Sequence, residues 1–448
     1  MLKRVKISRR DSVRRGAEEP FAARGSRPIR VVVDPRLLES DLDPFLHALL
    51  QEEGFDVGTV GRSERDLIRI HEPNRQHNVV PVTFGSTRTA ISPLDNLEGC
   101  AAAWALRYGV DPDELNESFM LLCAVVTLGC DFFISDSSGL HSPAGGYRDV
   151  PVLSQSDAVA LLSLLLRGRG RAPVRSDLSS GRVEGLGLWW FYRLATFACL
   201  PEVGPWQRSL GVDRSIRDDR GIDEGDAIGL DMYDELPFDG VVGRFSRALR
   251  ARDRILQTIL RGGGVENHDL VLYELESLAL QLRGALDSAA VIVSSQLGVT
   301  CHPSQMSWTK TEPRRSMRRE WCESRDLTLG WRRTAGLLAL IRNQIHGAPL
   351  KSVAAGDDDL FMVLPRWARL RYQALSRELG DSEGWGVRDH GMFDPWALTE
   401  MAVESTRECL RQIARISTRT GVPDPNPVVW PWDEATGAAA LRALALEQ

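Results

Sequence analysis

The stretch Cys123-Ala-Val-Val-Thr-Leu-Gly-Cys-Asp-Phe-Phe-Ile-Ser-Asp136 joins an apolar helical run, a glycine, a short apolar strand and a terminal acid. The helical run extends over Glu114–Leu128, and Gly129 directly after its last apolar turn indicates where it ends. A strand is predicted next at Asp131–Ser135, with Asp136 following it. A helix that leads into a buried strand ending in an acid favours a parallel sheet with a polar edge.

The alternation of strands and helices continues on both sides of this stretch. Runs of β-branched residues predict buried strands, and leucines three and four positions apart predict helices. Residues 28–168 are therefore expected to form one α/β domain with a parallel sheet covered by helices. Its further strands are predicted at Arg30–Val33, Val57–Val60, Val79–Phe84 and Val150–Leu153, and its further helices at Asp43–Glu53, Pro93–Tyr108 and Ser156–Arg167, the last capped by Ser154.

Acidic side chains are expected to gather at one edge of that sheet. Asp34 follows the first strand and Asp136 follows a later one, so both lie at the carboxyl ends of parallel strands. Two carboxylates there repel each other unless a cation lies between them, and hard divalent cations prefer oxygen ligands. Glu117, near the start of the helix returning to the second strand, and Glu98, early in the preceding helix, could complete a site for one or two metal ions.

Other interpretations of these acids stay open. An aspartate after a strand is often a helix cap, which would account for Asp34 alone. Asp95 competes with Glu98, and Asp131, at the start of its strand, should point to the opposite edge. Dinucleotide binding is not expected, because the turn after the first strand reads Asp-Pro-Arg-Leu-Leu and has no glycines.

Three segments resemble the pattern of PIN domains, ribonucleases that use three or four acids with Mg²⁺ or Mn²⁺, often as toxins or in RNA processing. They are the Val-Val-Val-Asp34 opening, the stretch from Cys123 to Asp136, and Val150-Pro-Val-Leu-Ser154 with the helix after it, together about a third of the chain. The resemblance implies a three-layer α/β/α fold and in-line hydrolysis of phosphodiester bonds. It also implies that the catalytic metal ligands are Asp34, Glu98, Glu117 and Asp136.

Helical spacing dominates from Phe245 onward, chiefly over Asp269–Leu297, Leu327–His346, Leu364–Leu379 and Pro395–Ser417. Leu338-Ala-Leu-Ile-Arg-Asn-Gln-Ile-His-Gly347 places Arg342 and His346 on one helix face. This pattern resembles the signature of HEPN domains, all-α modules of RNA-targeting and defence systems. The resemblance implies His346 as general acid/base and Arg342 as the phosphate-binding group. Three residues separate them, which is fewer than is usual in active members. An alternative is therefore that Asn343 and His346 only cap the end of the helix and satisfy its backbone groups.

A basic run, Lys310-Thr-Glu-Pro-Arg-Arg-Ser-Met-Arg-Arg319, lies between the helices and beside two tryptophans. It is interpreted as a loop. Such a loop either contacts RNA or is simply solvated. The side chains that would contact RNA are Arg314, Arg315, Arg318 and Arg319.

Composition limits the classes of protein that this chain can belong to. A length of 448 residues predicts two or three domains, and a net charge of -6 excludes a generally basic nucleic-acid coat but not a local basic patch. Nearly all the basic side chains are arginines, which reflects either genome composition or phosphate binding. The seven cysteines form no CxxC pair, so a zinc cluster is not expected, and their scatter fits a reducing cytoplasm.

The expected organisation has five segments. They are a disordered basic arm at 1–27, the PIN-like α/β domain at 28–168, a linker with an aromatic helix at 169–244, the helical HEPN-like domain at 245–420 and a C-terminal tail at 421–448. The basic arm lacks the apolar core of a secretory signal, and no apolar run reaches the ~20 residues of a membrane span. The arm could alternatively grip RNA.

The expected function follows from the two resemblances. It is a cytoplasmic endoribonuclease that depends on Mg²⁺ or Mn²⁺, acting as a toxin or defence protein, with RNA as substrate, a homodimer through the helical half and a protein antitoxin as a partner. Two alternatives stay open. One is a non-catalytic RNA- or protein-binding module with a degenerate PIN fold, and the other is metal-independent cleavage by the HEPN-like half.

Overall fold

The structure is a computed structural model, and the chain divides into two compact units. The first contains residues 1–188, 260–262 and 434–448, and the second contains residues 189–259 and 263–433. Each unit is described below from the residues whose placement is defined. These are 28–34, 36–37, 42–52, 54–60, 68–72, 75–84, 87–91, 130–137, 140, 146–147, 150–177, 182–209, 239–261, 265–299, 305–320, 325–343, 350–355, 359–388, 392–419 and 434–444.

The first unit is built on a mixed sheet in which eight strands are described. Its centre consists of four parallel strands in the order β2, β1, β6 and β8. Antiparallel strands extend it, with β4 on β2, β3 and β5 on β4, and β7 on β8. The strands are β1 (Ile29–Val33), β2 (Phe55–Val60), β3 (Ile68–Glu72), β4 (Arg75–Phe84), β5 (Thr87–Ile91), β6 (Phe132–Ile134), β7 (Gly146–Tyr147) and β8 (Val150–Leu153).

The two central strands are buried on both faces. Val31, Val32 and Val33 of β1 and all three residues of β6 are inaccessible to solvent. Their register pairs Val33 with Ile134, so both strands end at the same level of the sheet. A strand covered on both sides is a continuous apolar run, which is why the sequence located β1, β6 and β8 to within a residue or two.

Side-chain caps begin two of the described helices of this unit. Asp43 precedes α1 (Pro44–Leu50), and its carboxylate accepts the backbone N–H of Phe45 at 2.8 Å. Ser154 precedes α2 (Gln155–Gly168), and its hydroxyl accepts the backbone N–H of Asp157 at 3.2 Å. The predicted cap at Ser154 is confirmed. The predicted helices Pro93–Tyr108 and Glu114–Leu128 lie outside the described residues.

A helix within the predicted tail at 421–448 belongs to the first unit. This helix, α11 (Glu434–Leu444), packs against α2 and against the strand β9 (Ala172–Asp177), which pairs with β10 (Arg182–Leu186). Arg167 of α2 is buried and donates a 3.0 Å hydrogen bond to the carbonyl of Ala443. The packing of α11 is explained by its buried alanine and leucine side chains, which are Ala439, Ala440, Leu441, Ala443 and Leu444.

The second unit is largely helical. Its longest helix, α6, packs against α8 and α10, and the ring centroids of Trp308 and Trp331 lie 5.0 Å apart in an edge-to-face pair. The helices that form this unit are α3 (Leu188–Cys199), α4 (Val203–Ser209), α5 (Asp239–Leu260), α6 (Val265–Gln296), α7 (Thr311–Glu320), α8 (Arg325–Arg342), α9 (Arg366–Glu378) and α10 (Pro395–Arg419).

A three-stranded antiparallel sheet interrupts the helices, where only helical spacing was expected. It consists of β11 (Lys351–Ala355), β12 (Asp359–Val363) and β13 (Met392–Phe393). Along β12, Leu360 and Met362 are buried while Phe361 and Val363 are half-buried. That alternation has the period of a strand, but it is too short to stand out beside the long helices.

The prediction that the basic run forms a loop is wrong, because Thr311–Glu320 form the helix α7. Pro313 lies in the first turn, where a proline removes no helical hydrogen bond. Arg314 and Met317 are buried three positions apart, which gives the helix an inner face. The arginines on the other side made the segment look wholly solvated in the sequence.

The coarse prediction of an α/β part followed by a helical part is confirmed. The sheet itself is mixed and not purely parallel, because the strand pairs around β4 and β7 are antiparallel. Among the helices defined in these ranges, none combines the length and apolar character needed to cross a bilayer.

Candidate functional site

Asp34 lies immediately after the last residue of β1, at the carboxyl edge of the parallel strands. Its backbone N–H donates to the carbonyl of Ile134 at 2.8 Å, which extends the β1–β6 pairing by one residue. The side chain is almost completely buried, at 2% exposure. A charged group at such a position needs partners, because burial without them is strongly unfavourable.

Two neighbours supply the partners of the Asp34 carboxylate. The hydroxyl of Ser135 donates to Oδ2 at 2.8 Å. Arg36 donates its backbone N–H to Oδ1 at 3.0 Å, and its guanidinium donates to both oxygens at 3.3 Å. The side chain of Arg36 is 40% exposed, so its guanidinium reaches water while it contacts the carboxylate.

Asp136 lies two residues beyond the end of β6, at the same edge, and is exposed. Gln155, the first residue of α2, holds it in a two-point contact. The backbone N–H donates to Oδ1 at 3.0 Å and the side-chain amide donates to Oδ2 at 2.8 Å. The carbonyl oxygen of the same amide accepts the backbone N–H of Asp43 at 2.7 Å. One glutamine therefore connects Asp136 to the start of α1.

Asp131 lies at the other end of β6, as the sequence predicted. Its carboxylate accepts the backbone N–H of Arg30, near the start of β1, at 2.9 Å. The neighbouring Cys130 is buried, and this burial, with the negative charge of Asp131, raises the pKa of its thiol to about 12. At the amino edge the described residues thus include a buried thiol that stays protonated near neutral pH and a carboxylate that holds the backbone of Arg30.

The fit of a divalent cation to the carboxyl edge can be judged on two of the four predicted ligands. Glu98, Glu117 and the competing Asp95 lie outside the described residues, so the four-acid arrangement stays a prediction. Within the ranges given above, no three acidic, histidine or cysteine side chains are grouped as a metal-binding set. The donors of Asp34 and Asp136 are carboxylate oxygens, which suit Mg²⁺ or Mn²⁺. A cation at Asp34 would replace the half-exposed guanidinium of Arg36.

The HEPN-like signature is described only in part. Arg342 ends α8, and its guanidinium donates from Nε and Nη2 to the side-chain oxygen of Asn343 at 3.2 and 3.0 Å. His346 falls in a segment that is not described. The expected pairing of Arg342 with His346 therefore stays a prediction.

The four predicted RNA-contacting arginines do not share one surface. Arg315 and Arg319 are exposed four positions apart on α7. Arg314 is 6% exposed, and Arg318, four positions on, is half-buried. Residues four apart lie on one face of a helix, so α7 carries one outward pair and one inward pair.

Sequence reasoning missed the residues that partner the two described acids. Ser135, Arg36 and Gln155 were each visible in the sequence, next to a strand end or at a helix start. Serine and glutamine at such positions usually serve the backbone locally. Only the pairing of β1 with β6 brings Ser135 to Asp34, which lies 101 residues earlier.

Comparisons with protein-family models, curated proteins and solved structures give no match to this chain.

Proposed function

We propose that this chain is a divalent-metal-dependent ribonuclease with a three-layer PIN-like front part and a HEPN-like helical part. The observation that supports it most is the position of Asp34 and Asp136 beyond the ends of neighbouring parallel strands, β1 and β6. The carboxyl edge of parallel strands is where α/β proteins bind their ligands. The proposed chemistry is hydrolysis of an RNA phosphodiester bond.

The described residues have distinct parts in this proposal. Asp34 and Asp136 would hold Mg²⁺ or Mn²⁺, with Glu98 and Glu117 as the further ligands. When bound, the cation supplies a water of lowered pKa and neutralises charge on the leaving oxygen. Ser135 keeps the Asp34 carboxylate oriented through its 2.8 Å hydrogen bond. Arg36 offsets the carboxylate charge in the arrangement described here and would move aside for the cation.

The remaining elements of the proposal rest on the resemblances alone. The HEPN-like half would contact RNA phosphate through Arg342, with His346 as a general acid/base. It would also form a homodimer, and a protein antitoxin would hold the enzyme inactive in the cytoplasm. Arg315 and Arg319, on the outer face of α7, are the exposed pair that an RNA backbone could reach.

A non-catalytic binding module is the second candidate, and a specific observation favours it. All four carboxylate oxygens of Asp34 and Asp136 already accept hydrogen bonds from Ser135, Arg36 or Gln155. Carboxylates satisfied in this way need no cation to remain where they are. In this alternative the domain has a PIN-like fold but no catalytic metal site.

The test compares three matched carboxylate changes in the full chain. Cleavage of a labelled RNA should require Mn²⁺ or Mg²⁺, stop with EDTA, and fall by on the order of 100-fold or more in Asp34→Asn and in Asp136→Asn. Asp131→Asn is the control, because it makes the same change at the opposite end of β6 and its amide oxygen can still accept from Arg30. Far-ultraviolet circular dichroism checks that each variant is folded.

The same variants separate the candidates. The metal site is supported if Mn²⁺ raises the melting temperature of the wild type but not that of Asp34→Asn. A ligand that binds the folded state must stabilise that state. No rise with Mn²⁺ and no cleavage would favour the binding module. If cleavage continues in EDTA but stops in His346→Ala, the activity would be assigned to the helical half.

A further inference from the structure

The inner face of α7 contains two arginines, Arg314 and Arg318, for which the described residues supply no acidic partner. Arg314 and Arg318 lie four positions apart, and the Nε of Arg318 donates to the carbonyl of Arg314 at 3.2 Å. The Nε of Arg314 likewise donates to the carbonyl of Lys310 at 2.9 Å. Each guanidinium is thus fixed by its Nε against the helix backbone. The terminal Nη groups, which carry four of the five N–H donors of each side chain, remain for another acceptor.

The burial of Arg314 makes this arrangement unusual. Its side chain is 94% removed from solvent, being 6% exposed. Two other deeply buried arginines of the second unit have strong acceptors. Arg252 makes two hydrogen bonds to Glu400 at 2.8 and 3.1 Å, and Arg283 bonds to Asp287 at 2.9 Å and to the carbonyl of Ala335 at 2.6 Å. Arg314 has a backbone carbonyl on Nε alone.

Among the described residues, the charged side chains that act on Arg314 are positive. Burial, followed by the nearby charges of Arg332 and Arg318, lowers the pKa of the Arg314 guanidinium. Arg332 lies on α8 and its side chain is exposed. Like charges held close together are unfavourable, and a buried charge without a counter-ion adds to that cost. The folded chain therefore holds a site of positive potential whose complement is an anion.

We propose that Arg314, Arg318 and Arg332 form a binding site for a terminal phosphate group. Arginine is suited to this group, because its planar fork donates two parallel hydrogen bonds to phosphate oxygens. A terminal phosphate carries about −1.5 to −2 charges near neutral pH and has three acceptor oxygens. A backbone phosphodiester has only a single negative charge, which three guanidinium groups would more than neutralise. The site is independent of the acidic edge of the sheet.

The terminal phosphate could come from a small molecule or from the 5′ end of an RNA. Binding to the full chain is measured by calorimetry with inorganic phosphate, adenosine monophosphate, and an RNA decamer with either a 5′-phosphate or a 5′-hydroxyl. Adenosine and sulfate are included as the uncharged and the non-phosphate comparisons. Binding of inorganic phosphate or of the monophosphate indicates a small-molecule source. Tighter binding of the 5′-phosphorylated RNA than of the 5′-hydroxyl RNA, without binding of either small molecule, indicates the end of an RNA.

Arg318→Ala and Arg332→Ala test the residues without removing the buried Arg314, whose loss could unfold the chain. Each should weaken phosphate binding about tenfold or more, as expected for loss of a charged hydrogen bond. Arg333→Ala is the matched control. It removes the same charge from the neighbouring position of α8, but its guanidinium is committed to Glu378 at 2.7 Å. Its affinity for phosphate should equal that of the wild type.

A second measurement distinguishes a binding role from a structural one. In phosphate-free buffer, Arg318→Ala and Arg332→Ala should melt at the wild-type temperature or above it, because they relieve repulsion. Added phosphate should then stabilise the wild type more than either variant. The proposal is overturned by variants that melt lower without phosphate and bind it unchanged. It is equally overturned if the 5′-phosphate adds nothing to the affinity for the RNA and neither inorganic phosphate nor adenosine monophosphate binds.

Discussion

Arg442, near the end of α11, forms an ion pair with Asp43, the residue that caps α1. The guanidinium carbon also lies 6.0 Å from the centroid of the Phe45 ring. One carboxylate therefore serves two purposes, because Oδ1 caps the helix while Oδ2 binds the arginine. The backbone N–H of Asp43 donates to Gln155, which in turn holds Asp136. The C-terminal helix is thereby linked, through two residues, to the candidate site.

The two functions of Asp43 can be separated by substitution. Asp43→Asn keeps a capping oxygen and loses the ion pair, so it should destabilise the first unit by only about 0.5 kcal/mol. Asp43→Ala loses both and should cost about 1 kcal/mol more. The backbone N–H groups of Phe45 and Leu46 donate hydrogen bonds to this carboxylate, so their hydrogen exchange reports the loss of the cap. Arg442→Ala should match Asp43→Asn. Equal protection in the asparagine and alanine variants would show that the cap contributes nothing.

Arg36 should compete with a cation for Asp34. Its guanidinium contacts both carboxylate oxygens at 3.3 Å, so Arg36→Ala should remove the competing positive charge and strengthen the binding of Mn²⁺. The expected result is a larger rise in melting temperature with Mn²⁺ than the wild type shows, from a lower starting value. Arg36→Lys retains the positive charge and serves as the control. An identical Mn²⁺ response in all three proteins would exclude Asp34 as a ligand.

The Arg252 ion pairs should be essential to the second unit. Arg252 is 2% exposed, binds both oxygens of Glu400, and lies 3.1 Å from Asp253, whose other oxygen accepts from Tyr192. Burial opposes the charged guanidinium, but the two carboxylates outweigh it and raise its pKa. Arg252→Ala leaves those carboxylates without a counter-charge.

We expect Arg252→Ala to lower the free energy of unfolding by about 3–5 kcal/mol. Urea denaturation followed by tryptophan fluorescence measures it. Arg333→Ala breaks the more exposed pair with Glu378 and should cost less than about 1 kcal/mol. Similar losses in the two variants would contradict the special role of the buried pair.

Two buried thiols should make the protein less stable in alkali. Burial raises the pKa of Cys130 and of Cys409 from 9.0 to about 12. The unfolded chain therefore loses these protons first. The stabilising contribution of each thiol is complete below pH 9 and is lost as the pH rises toward 12.

Each thiol should contribute a fall of up to about 1.4 kcal/mol per pH unit within that window. The urea midpoint of the first unit, measured between pH 8 and roughly 10.5, should decline less steeply in Cys130→Ala than in the wild type. Cys409→Ala is the control, because its thiol lies in the second unit. Parallel declines of the first-unit midpoint in wild type and Cys130→Ala would show that Cys130 titrates normally.

The local elements were predictable because their signals lie within a few residues. Val31–Val33 and Phe132–Ile134 are apolar enough to be strands in any context, and Ser154 followed by Asp157 indicates a helix start. The helix α7 was missed because its buried residues are Arg314, Ser316 and Met317, and two of those three side chains are polar. The strand β12 was missed because its alternation extends over only five residues.

The sequence by itself determined where the central strands run and that Asp34 and Asp136 come after them, since the order of apolar and polar side chains is a local property. The tertiary structure alone decided what surrounds those acids. Ser135 reaches Asp34, Gln155 reaches Asp136, and Arg442 reaches Asp43 only after distant segments have packed. Hydrogen bonds between residues far apart in the chain depend on the register of β1 with β6 and on the docking of α11. No spacing in the sequence encodes either, because both result from the summed burial of many apolar side chains.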